Sequence, residues 1–236
     1  VNTSTENYVS WNWKGDGAAG GTLNQDGDID SYVNVNTTAG FSIVKYAGSG
    51  TGGDTIGHGL SSAPELIIVK NRDEDDAWQV YCASNTAAPE TDYLVLNDSG
   101  STADNVDRWN DTTPSASVFT IGDGVEVNTN TEDYIAYCFN SIPGYSKVGL
   151  YTGNGSNDGT FVYTGFRPMW VMSKCTVGSA SWLMTDSVRF PYNVTANPLF
   201  ADGSWGETSS STYAIDILSN GFKCRGVNNN TNNSSN

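Results

Sequence analysis

Asn128-Thr-Asn-Thr-Glu-Asp-Tyr-Ile-Ala-Tyr-Cys-Phe139 is a polar turn that runs into an alternating aromatic and β-branched stretch. That pattern is a turn feeding a half-buried strand. It occurs twice: Asn2-Thr-Ser-Thr-Glu-Asn-Tyr-Val-Ser-Trp-Asn-Trp13 is a copy 126 positions earlier, with Tyr8 matching Tyr134 and Trp11 matching Tyr137. The chain opens on a segment that elsewhere closes a unit. Its fold is therefore read from repeats.

Outward from Phe139, one full unit is legible from Gly40. Gly40–Tyr46, Glu65–Lys70, Ala77–Tyr81, Tyr93–Leu96 and Ser117–Ile121 read as strands, and Tyr134–Phe139 closes the unit. The unbroken apolar run Leu66-Ile-Ile-Val69 predicts a strand buried on both faces. From Gly144 the order starts again. Gly144–Val148 matches Gly40–Val44 at an offset of 104, Tyr151 matches Tyr46 at 105, and Pro168 matches Pro64 at 104. Trp182 overlays Trp78, and Gly221-Phe-Lys-Cys224 overlays Val118–Ile121 at 103. Offsets that drift at loops while Gly, Pro and aromatic anchors hold are the mark of duplicated domains. Carried forward, Thr131 maps to Ser234 and Asp133 to Asn236, and Tyr134 has no counterpart.

The expectation is an all-β chain of two tandem, sequence-related antiparallel β-sandwich units, jelly-roll or concanavalin-like. Residues 40–143 form the first unit. Residues 144–236 form the second, which lacks its closing strand. Residues 14–39 read as a Gly-rich linker and a hairpin, and residues 1–13 as a copy of the closing strand. That copy either closes an upstream unit of a longer protein or fills the vacancy in the second unit. In the latter case Tyr8, Val9, Trp11 and Trp13 carry strand exchange, within one molecule or between neighbours.

Composition agrees with strands and turns. Gly, Asn, Ser, Thr and Asp are abundant and helix formers scarce. Acidic residues number 26 against 11 basic ones, a formal charge of -15, which disfavours nucleic acid and anionic lipid as partners. No apolar run is long enough for a membrane-spanning helix, so membrane insertion is not expected. The four cysteines show no paired spacing and read as small buried apolar side chains.

Residues for chemistry are few. His58 is the only histidine and reads as a turn residue. The acids at 73–76 have no acidic counterparts near Thr176–Ala180, which argues against a shared hydrolase site, and the chain reads as non-enzymatic. Asp26, Asp28 and Asp30 have alternate spacing that a calcium loop could use, although an Asp-Gly hairpin turn explains them as well. No other cofactor is expected. Trp109 and Trp205 lie in polar loops flanked by Asp, Asn or Gly and read as glycan contacts.

Tyr134–Phe139, Gly144–Val148, Tyr151–Gly155, Phe161–Pro168 and Ile215–Phe222, together with Gly40–Val44 and Gly57–Leu60, resemble a repeated domain of unknown function. That domain is found in tail-fibre-like virion proteins of tailed, often marine, bacteriophages. The resemblance implies a virion or extracellular structural protein that assembles with itself, by analogy as a trimer, and with other virion proteins. It would serve attachment to the host surface, with a surface glycan as partner. A carbohydrate-binding module of a larger secreted protein and a self-polymerising surface filament are the alternatives.

Overall fold

A computed structural model describes residues 4–15, 17 and 19–233. The first residues of the N-terminal copy, and Ser234 and Asn236 at the far end, lie outside the described residues. The strands are β1 (Thr22–Asn24), β2 (Ser31–Asn36), β3 (Phe41–Ala47), β4 (Thr55–Gly57), β5 (Leu66–Asn71) and β6 (Gln79–Cys82). They continue with β7 (Asp92–Val95), β8 (Ala103–Asp104), β9 (Val118–Thr120), β10 (Asp133–Phe139), β11 (Phe161–Tyr163) and β12 (Trp170–Ser173). The last four are β13 (Leu183–Asp186), β14 (Leu199–Phe200), β15 (Ile215–Leu218) and β16 (Gly221–Cys224). Among the described residues, two one-turn helices, α1 (Val106–Trp109) and α2 (Val125–Asn128), and one 3-10 turn complete the set. The protein is all-β, with several antiparallel sheets.

The main sheet has eight strands in the order β1-β2-β3-β10-β5-β6-β7-β8. The stretch quoted at the outset is thus a central strand. β10 lies antiparallel to β3 on one side, Phe139 opposite Phe41, and to β5 on the other, Phe139 opposite Leu66. Its alternation sorts side chains between two layers. Tyr134, Ala136 and Cys138 join Val44, Tyr46, Ile67, Val69, Phe119 and Ile121 in one core. Tyr137 and Phe139 face a second core built on Ile68, Val80, Leu94 and Trp182. β5 is accordingly covered on both faces, Ile67 and Val69 in one core and Ile68 in the other.

Trp182 and its neighbours Met172 and Ala201 belong to the second half of the chain, so the two halves share that core. Main-chain bonds bind them too. The Trp182 indole donates to Val95 O at 2.8 Å, Ala180 N to Ser99 O at 2.9 Å and Thr102 N to Thr176 O at 2.8 Å. The segment expected as a linker and hairpin also differs from its reading: β1 and β2 form the hairpin, but β2 pairs along β3 and extends the main sheet.

Pairing repeats at the offsets of the sequence. Leu66 faces Cys82 and Ile68 faces Val80; Trp170 faces Asp186 and Met172 faces Met184. Ile56 faces Phe119, and Val162 faces Phe222. Trp78 N donates to Asn97 Oδ1 and Trp182 N to Asp202 Oδ1, each at 2.9 Å. Tyr46 Oη donates to Val127 O at 2.8 Å and Tyr151 Oη to Thr231 O at 2.7 Å. A Cβ on Gly48 would strike the Thr129 carbonyl, and one on Gly153 the Asn233 carbonyl. Both sites need glycine for close backbone approach. One correspondence fails. Residues 145–151, matched to β3, form no strand: among the described residues no strand lies between them and β12 as β10 lies between β3 and β5.

Candidate functional site

Three sets of residues singled out in the sequence are placed by the structure: Trp109 away from its reading, the aspartates in the turn of the β1–β2 hairpin, and the N-terminal copy outside any strand. Trp109 is 2% exposed. α1 turns its ring into the core edge-on to Tyr81, and its indole N–H donates to Asp92 O at 3.1 Å. The polar neighbours serve the helix ends instead: Asn105 Oδ1 caps Asp107 N at 3.0 Å, and Asn110 and Asp111 take left-handed backbone at φ 50 and 46. The ring is structural, and no sugar reaches it.

Asp26, Asp28 and Asp30 are not gathered. Asp26 accepts from the Asn24 side chain, Asp28 from Thr55 Oγ1 at 2.6 Å, and Asp30 from Gln25 Nε2 at 3.3 Å. Each carboxylate is drawn to its own partner by the hairpin, and among the described residues no three metal-ligating side chains cluster.

Tyr8, Val9, Trp11 and Trp13 form no strand. Their segment is held through rings: Trp13 lies 5.3 Å from Trp170 and 6.1 Å from Phe139, and Trp11 lies 6.2 Å from Trp170. The Arg189 guanidinium stands 6.0 Å from the Trp11 ring. Polar Ser10 and Asn12 stand where β10 has Ala136 and Cys138, so the copy lacks β10's apolar inner face.

Trp205 is where the sequence reading places it, 64% exposed. Its loop is braced at both ends. Asp202 holds Trp182 N before it, and after it Glu207 accepts from Arg189 Nη1 at 2.7 Å and Asn197 Nδ2 at 3.0 Å. The indole packs edge-on to Phe200 at 6.1 Å, and Phe200 in turn meets Tyr213 at 5.4 Å. Gly203 lies beneath the ring, where any Cβ would strike it. Large exposed apolar side chains gather in the same half of the chain, Met169, Val188 and Tyr192 among them. An exposed indole held in one orientation loses little conformational entropy when it stacks on a ligand. The glycine and the two carboxylate braces were not singled out in the sequence. The pair Asp202 and Gly203 just before the tryptophan was the available signal.

Other charged and thiol groups are held within the fold. Arg108 is buried, paired with Glu126 at 2.7 Å and Gln79 at 3.1 Å. Asp186 is held below its ordinary value: burial pushes it up, but the Arg189 backbone N–H and guanidinium outweigh that. None of the four cysteines is in a disulfide, and burial pushes the Cys138 thiol up to about 12.

His58 is fully buried; Nδ1 accepts from Leu60 N at 3.1 Å, so Nε2 carries the proton and donates to Ser115 O at 3.2 Å. Burial lowers its pKa below the ordinary 6.5, against the Ser115 carbonyl and the charge of Asp26, which act to raise it. A folded pKa below the unfolded one means that the folded state binds fewer protons. Stability is then complete above 6.5 and lost as pH falls through the folded value. The expected result is a melting temperature that is flat from pH 8 to about 7 and declines below about 6.5. Asp158, lowered by its bond to Lys223, and Asp186 act only below 3.8. A His58→Phe variant, less stable at neutral pH, should lose the decline between about 6.5 and 4. Thermal melts of both proteins across that range check it.

The family described as "Domain of unknown function (DUF7483)" matches residues 1–236, and the chain belongs to it. No curated protein and no solved structure matches the chain.

Proposed function

We propose that this member of the family is a non-enzymatic structural protein of a tailed-phage virion. It would be a tail-fibre, spike or head-fibre component that presents β-sandwich units for host-surface attachment. The virion assignment rests on the sequence resemblance. The attachment role rests on one structural observation, an exposed Trp205 braced over Gly203. Host surfaces offer sugars, and sugars present C–H faces that stack on a fixed indole. The charged and polar groups described above are engaged in caps, loops and ion pairs, which supports display over catalysis. The repeated pairing registers support reading the halves as related sandwich units of jelly-roll or concanavalin-like type. Copies of the chain would assemble with one another, by analogy as a trimer, and with other virion proteins.

A carbohydrate-binding module of a larger secreted protein would use the same tryptophan, so the location needs its own measurement: mass spectrometry of purified particles should find the chain in them. For the binding surface, a glycan array probed with the whole chain should give a signal that Trp205→Ala weakens by at least about tenfold. Gly203→Ala should weaken it as well by displacing the ring. An array with no bound glycan, or equal binding by the variants, would sink the attachment reading.

A further inference from the structure

The second half of the chain carries an open strand slot. β12 is the edge of its sheet, and its strand partner among the described residues is β13 alone. In the first half the equivalent edge of β5 is filled by β10, in a register that runs from Tyr134 opposite Asn71 to Phe139 opposite Leu66. Shifting β5 by 104 gives β12, and shifting β10 back by 126 gives Tyr8–Trp13. Applied together, these shifts set Trp13 opposite Trp170, Trp11 opposite Met172, Ser10 opposite Ser173 and Tyr8 opposite Cys175.

The structure meets that register at one end. Trp13 sits on Trp170 at 5.3 Å, ring edge to ring face, which is the pair the two shifts place across from each other. The Trp170 indole nitrogen is buried with no acceptor among the described residues. On the far side of the slot, residues 145–151 remain irregular, with Tyr145 and Leu150 exposed where β3 is tightly paired in the first half.

We propose that the open edge of β12 is a binding site for an extended peptide of the β10 type, and that its occupant is Tyr8–Trp13 of the same molecule, added antiparallel with Trp13 opposite Trp170. Main-chain bonds to an unpaired edge supply the affinity, and alternate side chains supply the register. The occupant belongs to the same molecule because Trp11 and Trp13 already lie on Trp170. The segment's exit is also held by the main sheet of the same molecule, Asn36 Nδ2 at the end of β2 donating to Lys14 O at 3.4 Å. Full pairing would extend the β12-β13-β14 sheet by one strand and let residues 145–151 pair in turn. The site is independent of the attachment reading, since Trp205 takes no part in it.

A single substitution tests the register. Tyr8→Cys places a thiol opposite the native Cys175, within the Cβ separation of facing strand residues. Mild oxidation with oxidised glutathione should then join the two in most molecules, the two thiols giving two electrons and two protons to the oxidant. Peptide mapping should find the link to Cys175 and not to Cys82, Cys138 or Cys224. The product should migrate as a monomer on a non-reducing gel. Val9→Cys points to the opposite face and should link at least about tenfold less. Hydrogen exchange adds a readout on the unlinked chain: amides of residues 170–175 should be protected, and Trp11→Ala with Trp13→Ala should speed their exchange by about tenfold or more. Equal linking by the two cysteine variants, or unprotected amides at 170–175, would overturn the site. A link between two molecules would overturn the same-molecule occupant in favour of exchange between copies.

Discussion

Trp182→Ala is expected to unfold both halves of the chain together, at a cost of about 3–5 kcal/mol and roughly 6–20 °C in melting temperature. The indole is 4% exposed and lies under the second face of the main sheet with Ile68, Val80 and Leu94. Truncation leaves a cavity between the halves and removes the shorter of two donors to the Val95 carbonyl, the indole N–H at 2.8 Å, leaving Asp98 N at 3.3 Å. The residue belongs to the second half by sequence, yet much of what it covers belongs to the first. Scanning calorimetry of the wild type should therefore show one transition, and the variant one transition at a lower temperature. A variant in which a first-half transition stays in place while a second one falls would contradict the shared core.

That shared core marks where the sequence stops being legible. Leu66–Val69 announces a strand covered on both faces, but nothing in it says that the second cover comes from residues more than a hundred positions away. The repeated tryptophans Trp78 and Trp182 look equivalent, and locally they are, each N–H bound to the side chain two residues past a short paired strand. Their burial differs: Trp182 lies inside the shared core at 4% exposed, whereas Trp78 sits half-buried at the margin of the same core, stacked on Tyr137. Trp109 misleads for a related reason. Flanking Asp and Asn residues look like partners for a sugar, but at the ends of a one-turn helix they are caps, and caps point the ring inward. Trp205 has similar neighbours and no helix, so its ring stays out. The N-terminal copy shows the limit of repeat reading: identity of pattern locates a complement without showing whether its main-chain bonds form.

The second large effect is expected at a pair of residues hidden by their surroundings, Asn128 and Asn232, which are equivalent at an offset of 104. Asn128 is fully buried. Its Oδ1 accepts from Ser49 N at 2.8 Å and Gly50 N at 3.2 Å, and its Nδ2 donates to Thr51 O at 2.9 Å and Gly122 O at 2.8 Å. Asn232 repeats the device, with Oδ1 on Asn154 N at 2.8 Å and Nδ2 on Ser156 O at 2.7 Å. An amide is the side chain that offers two acceptor sites and two donors in one plane, which is what a loop with amides on one limb and carbonyls on the other demands. Asn128→Ala should cost about 2–4 kcal/mol, since several polar groups lose their partner at once. Hydrogen exchange should show the loop at 48–53 opening first. Asn128→Asp keeps the shape and the accepted bonds but turns lone pairs on the Thr51 and Gly122 carbonyls, so at pH 7 it should be no better than alanine. The introduced carboxyl is more easily protonated when folded than when unfolded. Relative to wild type, the aspartate variant should therefore recover as pH falls toward about 4, where the neutral acid can donate to one of the two carbonyls. Asn232→Asp should behave in parallel at the loop 153–156. If the alanine variants of both asparagines melted within about 0.5 kcal/mol of wild type, the clamps would be incidental, and the two loops would owe their shape to the glycines alone.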